Sequence, residues 1–130
     1  MLHRSRNSEE AALFLLSKRK YEGCVVAFYY SILQRMMYSL NEHERKPLPY
    51  ELQNPLNEDI HNKILNEIKN RFPNGREGSA FKESFVKLFD FRKRADYQID
   101  TITQEECIEC RLIHERLMGQ LNRFFPVKDN

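Results

Sequence analysis

Apolar residues in this chain recur every three or four positions, and they do not alternate with period two over any useful length. The pattern predicts helices and no strands. A first helix is expected over 8–19. Ser8 is its candidate N-cap, and Glu9 and Glu10 stand in the first turn, where carboxylates suit the positive end of the helix dipole. The second, over 22–40, is unusual. Val25, Tyr29, Ile32, Met36 and Leu40 form one apolar stripe, and Val26, Tyr30, Leu33 and Met37 form another beside it. An arc that wide cannot be covered by one neighbour, so the helix belongs at the centre of a bundle or at a subunit interface.

Pro47, Pro49 and Pro55, set among charged and amide side chains, interrupt the pattern over 41–58 and predict a loop of unusual length. A third helix over 59–72 turns Ile60, Ile64 and Ile68 inward and is stopped by Pro73-Asn74-Gly75. The fourth opens near Ser79, with Phe81, Phe85 and Leu88 on its inner face. The fifth starts at Thr103-x-x-Glu106, a capping box, and runs to Phe124 and Phe125 before Pro126. The expected fold is an all-α helical bundle forming a single domain over 1–130.

The fourth helix carries an anomaly. Continuing its inner stripe from Phe81, Phe85 and Leu88 leads to Arg92, so a permanently charged guanidinium points toward the core. It needs a carboxylate, an anionic ligand or a polar groove, and Asp96 stands one turn later. An Arg92–Asp96 staple at the helix end and a ligand-binding groove are both consistent with this placement.

Composition narrows the options. The 130 residues carry a net charge of +2, so any nucleic-acid site must be local rather than a property of the whole surface. The longest apolar run, Cys24 to Tyr30, is too short to span a bilayer, and the N-terminus lacks a secretory or organellar pattern, so a cytoplasmic protein is expected. The three cysteines are an odd count and do not resemble a disulfide framework. Cys107-x-x-Cys110 with His114 suggests zinc, but a fourth ligand is missing. Cys107, Cys110, Ile113, Leu117, Leu121 and Phe124 instead read as one buried stripe. Neither a metal nor a cofactor is expected.

The order of several segments resembles the HEPN family, the higher eukaryotes and prokaryotes nucleotide-binding domain, over nearly the whole chain. The segments are Lys20-Tyr21-Glu22-Gly23, then Ala27-Phe28-Tyr29-Tyr30-Ser31-Ile32 on an apolar helix, then His61 followed by aliphatic residues, and finally Arg92-Lys93-Arg94-Ala95-Asp96-Tyr97. The resemblance implies a four- to five-helix up-and-down bundle, commonly a dimer with two arginine motifs around one groove; the second apolar stripe of helix two also suggests a homodimer, with Tyr29, Ile32 and Met36 as interface candidates. It also implies binding of nucleotide or RNA, or pairing with a minimal nucleotidyltransferase, as in toxin-antitoxin and defence systems. In ribonuclease members a histidine follows the arginine after four to six residues. Here Tyr97, Gln98 and Ile99 occupy those positions.

Imidazole suits proton transfer near neutral pH, whereas a phenol with a pKa near 10 suits it poorly. The expectation is therefore a catalytically degenerate module in which Arg92, Asp96, Tyr97, Arg94, Lys93 and His61 bind the ligand. If catalysis survives, Arg92 and Tyr97 are its candidates. His61 and His114 read as core or rim histidines, and His3 and His43 as tail and loop residues. Lys18, Arg19 and Lys20 form a second basic cluster after the first helix, which an antiparallel packing could bring to the same surface as Arg92–Arg94. Two alternatives stand beside this reading: a metal-independent ribonuclease acting as a toxin or defence factor, and a purely structural dimerisation module.

Overall fold

The computed structural model describes residues 2–44, 58–97 and 101–127. Among the described residues there are five α-helices and no strand: α1 (Leu2–Ser17), α2 (Tyr21–Glu44), α3 (Glu58–Asn70), α4 (Gly75–Tyr97) and α5 (Gln104–Phe124). The all-α class is as expected. No helix among the described residues is long and apolar enough to cross a membrane.

Several helix ends differ from the pattern-based boundaries, each for a local reason. α1 starts at Leu2, so Ser8 lies inside the helix, where its hydroxyl donates to Gln34 Oε1 at 2.8 Å instead of capping. α2 continues to Glu44 and α3 already includes Glu58, which shortens the expected 41–58 loop; residues 45–57 lie outside the described residues. Asn74 does more than end α3. Its Oδ1 accepts the Glu77 N–H at 2.9 Å, so it caps α4, which opens at Gly75 rather than near Ser79. A Cβ on Gly78 would lie 2.7 Å from the Lys69 carbonyl oxygen, so the α3–α4 hairpin closes this tightly only around a glycine.

Two other termini follow local rules closely. The Thr103 hydroxyl accepts the Glu106 N–H at 3.1 Å while the Glu106 carboxylate accepts the Thr103 N–H at 3.1 Å, which completes the capping box. At the end of α1, Lys20 N–H bonds Leu15 O at 2.8 Å and Arg19 N–H bonds Leu16 O at 3.1 Å, a Schellman pair. Arg19 takes φ 58° there, a left-handed conformation that costs a non-glycine residue about 1 kcal/mol.

α2 is the axis and touches every other helix. Cys24, Ser31 and Arg35 meet Cys107, His114 and Asn122 in turn, so α5 runs parallel to α2. Tyr30 meets Arg92, and Glu22 and Gly23 share a groove with Ala95 and Asp96, so α4 runs antiparallel to it. His61 lies beside Tyr29 while Phe72 packs on Phe125, which directs α3 the same way as α2. Direction thus alternates from α1 to α2, from α3 to α4 and from α4 to α5, but not from α2 to α3.

Both apolar stripes of α2 are satisfied within the chain. Tyr29, Ile32 and Met36 are each 0% exposed, which corrects their assignment as interface residues. The wide arc marks a central helix, and the covering surfaces are α1, α3, α4 and α5. Ile60, Ile64, Ile68, Phe81, Phe85, Leu88, Cys107, Cys110, Ile113, Leu117 and Leu121 are buried as expected. At the end of α5 it is Phe125 that is buried, with Phe124 only packed against the core.

Arg35 was not singled out by pattern, yet it is 1% exposed. Its guanidinium donates to Ser39 Oγ, to Asn122 Oδ1 at 3.2 Å and to the Phe125 carbonyl at 2.7 Å. The buried cation therefore sits on the C-cap carbonyl of α5, at the negative end of that helix. Arg35→Ala should remove these bonds and leave a void, lowering stability by about 3 kcal/mol. Urea unfolding measures it: an unchanged midpoint would show that apolar contacts alone hold the α5 C-terminus.

Candidate functional site

Helical periodicity carries Arg92 from the Phe81–Phe85–Leu88 face of α4 onto α2, and the residue is 9% exposed. Its guanidinium carbon lies 5.4 Å from the ring centre of Tyr29 and 5.8 Å from that of Tyr30. One terminal nitrogen, Nη2, donates to Tyr30 Oη at 3.3 Å, and Nε lies 2.7 Å from Asp96 Oδ2. The Nε–H is not aligned with that oxygen, so the contact is an ion pair rather than a well-directed hydrogen bond. Two aromatic faces and one carboxylate compensate the charge that burial would otherwise penalise.

His61, in the first turns of α3, completes this cluster from the other side of Tyr29. It is 1% exposed, its Nδ1 lies 2.7 Å from Tyr29 Oη, and its ring meets Tyr30 edge-on at 6.2 Å. The structure thus brings together Arg92, Asp96 and His61 from the expected site, and adds Tyr29 and Tyr30. Tyr30 was read from the sequence as an apolar-helix residue and not as part of the site. Its hydroxyl was the available signal, since a half-buried phenol needs a polar partner.

A groove of about 570 Å³ runs between α1, α2 and α4 above the cluster. Ala11, Gly23, Ala27 and Ala95 open the space, Tyr30 and Asp96 connect it to Arg92, and Ser8, Gln34 and Glu22 add polar groups. The charged residues lining it are the two carboxylates Glu22 and Asp96, while Arg92 is reached through Tyr30 and Asp96. Such a groove accepts hydrogen-bond donors readily. An anion must displace Asp96 from Arg92.

The remaining expected ligand residues are placed differently. Arg94 is held by Glu106 at 2.5 and 3.3 Å, a two-toothed pair that ties the end of α4 to the start of α5. Arg94, followed by the Thr103 backbone, keeps the Glu106 carboxyl below its usual pKa range. Lys93 Nζ lies 5.3 Å from the Phe89 ring centre and Lys18 Nζ 5.7 Å from that of Phe14. Tyr97, the last residue of α4, is 60% exposed. α1 and α4 run in the same direction, so the Lys18–Lys20 turn and the Arg92–Arg94 segment stand at one end of the bundle.

His114 belongs to a separate buried polar seam. It is 3% exposed, with Nε2 3.0 Å from Ser31 Oγ and its ring 4.9 Å from that of Phe28. Ser31 donates to the Ser5 carbonyl at 2.9 Å and Ser5 donates to the Ser31 carbonyl at 2.8 Å, which latches α1 onto α2. Cys24 and Cys107 meet with sulfurs 2.9 Å apart, and burial pushes the Cys110 thiol pKa up. Among the described residues no group of three or more His, Cys, Asp or Glu is gathered to hold a metal ion. Comparison with protein-family models, with curated proteins and with solved structures finds no match for the chain.

Burial lowers the His114 pKa from 6.5 to about 4, so the folded state resists a proton that the unfolded chain accepts. Its contribution to stability is complete above pH 6.5, declines as pH falls toward about 4, and is then constant. The loss should approach roughly 3 kcal/mol at about 1.36 kcal/mol per pKa unit. Urea midpoints at neutral pH and near pH 4 should fall more for the parent than for His114→Leu. Equal declines would assign the acid sensitivity to other groups.

Proposed function

We propose that the protein is a HEPN-like helical module that binds RNA or a nucleotide in the α1–α2–α4 groove without cleaving it. The observation carrying this reading is Arg92 itself. At the head of the Arg92–Tyr97 segment it turns inward beneath a groove, held over Tyr29 and Tyr30 with a partly exposed carboxylate as its ion-pair partner. A phosphate oxygen offers the guanidinium fork the same chemistry as Asp96, and Tyr30 supplies a second hydroxyl contact.

The surroundings support binding more than catalysis. Tyr97 is largely exposed, and it stands where an imidazole would suit proton transfer near neutral pH. His61 has the right chemistry, but it is 1% exposed and its Nδ1 is engaged by Tyr29. The dimer and the nucleotidyltransferase partner implied by the family resemblance belong to this reading, with contact surfaces other than Tyr29, Ile32 and Met36. A second reading, a purely structural Arg92–Asp96 staple, is favoured by the carboxylates Glu22 and Asp96 lining the groove.

Fluorescence anisotropy with a short labelled single-stranded RNA, in chelator, separates the two. The parent should bind without shortening the RNA. Arg92→Lys keeps the charge but loses the planar fork, and should weaken binding by about tenfold. Asp96→Asn should free the fork and tighten it. If neither RNA nor mononucleotides bind, or if Arg92→Lys lowers thermal stability while leaving affinity intact, the staple reading stands.

A further inference from the structure

At the other end of the bundle, where α4 begins and α5 ends, a hollow of about 730 Å³ opens between the two helices. Arg76 of α4 and Arg116 and Arg123 of α5 line it together with Glu77, Gln120 and Phe124. Its charge is the reverse of the groove beside Arg92: three guanidinium groups face one carboxylate. Arg116, Gln120 and Arg123 follow a spacing of four and three residues, which places them on one face of α5.

Arg71, Arg92, Arg94 and Arg111 each have a carboxylate within hydrogen-bonding or ion-pair reach, and Arg35 is spent on the end of α5. Arg76, Arg116 and Arg123 form no ion pair among the described residues, although Glu77 shares their hollow. The guanidinium carbon of Arg123 lies 4.9 Å from the ring centre of Phe124, which fixes a cation against a flat apolar surface. Arg116 and Arg123 are seven residues apart, about 10 Å along the helix axis, a span better matched by consecutive phosphates than by one. The buried Oε1 of Gln120 has no donor among the described residues, so rotation of this side chain into the hollow would present an unused acceptor to a base N–H.

We propose that this hollow binds the linked phosphates of a single-stranded RNA, with Arg76, Arg116 and Arg123 on phosphate oxygens and Gln120 accepting from a base. The assignment rests on the RNA-binding reading for the nature of the ligand but uses none of the Arg92 cluster. Phosphate contacts of this type make affinity fall with salt, by a slope of about 0.7 per contact on single strands.

The test uses the full chain and a labelled oligoadenylate. Arg116→Glu with Arg123→Glu should weaken binding by at least about tenfold and flatten the salt slope by about 1.4, with helicity and thermal midpoint retained. Gly119 supplies an uncharged second variant: an added Cβ there meets nothing within 4 Å, so Gly119→Leu fits the helix while filling the hollow. It should also weaken binding. A folded charge-reversal variant, or a folded Gly119→Leu, that binds as tightly as the parent overturns the proposal. So does loss of binding in Arg92→Lys alone, which would leave the Arg92 reading intact. Loss confined to the hollow variants supports this site and removes Arg92 from RNA contact. Inorganic tripolyphosphate that binds the parent but not the charge-reversal variant, with no oligoadenylate binding, reassigns the hollow to free polyphosphate and overturns RNA as its ligand. Absence of binding to both overturns it entirely.

Discussion

The structure depends on the need to cover α2 on nearly every side. Two adjacent apolar stripes leave little of this helix that water can face favourably, and the remaining helices each take part of it. This constraint decides the topology: α4 lies antiparallel to the central helix, while α3 and α5 run with it. It also means that any polar group directed at α2 must find its partner inside the protein.

Two arginines meet that condition in different ways. Arg35 points from α2 into the interior and is answered by a helix C-terminus, whose terminal carbonyls otherwise lack donors. Arg92 points from α4 toward α2 and is answered by two tyrosine faces and a carboxylate that water still reaches. The difference bears on function. A cation spent on buried carbonyls has no chemistry left to offer, whereas one paired with a partly exposed carboxylate can exchange that partner for another anion.

Electrostatics divides the molecule into two ends. At the Arg92 end, Arg92 and Arg94 are paired with carboxylates, Lys93 is laid over a ring, and the open groove is lined by acids. At the opposite end, arginines converge without carboxylate partners among the described residues. A net charge of +2 conceals this arrangement, because pairing, rather than composition, determines which charges a ligand meets.

Much of the local structure was legible in the sequence. Thr103 and Glu106 specify a helix start through bonds between residues three apart, and the inward direction of Arg92 follows from the period of one helix; neither depends on distant parts of the chain. The start of α1 was not legible, because Ser5 is buried through polar bonds to Ser31 that no apolar pattern announces. The stripe through Tyr29, Ile32 and Met36 declared that a surface must be covered but not whether another chain would cover it. Periodicity along one helix records which side is buried, and carries no information about what buries it. Likewise, nothing local distinguishes the unpaired Arg116 from the paired Arg94, since Glu106 reaches Arg94 only once α4 and α5 are folded together. Helix-by-helix chemistry, the Arg92–Asp96 pair included, was thus determined by sequence neighbours within a turn, while the α5 partners of Arg35, the tyrosine faces beside Arg92 and the Tyr29 partner of His61 were decided by tertiary packing, which alone sets distances between groups far apart in the chain.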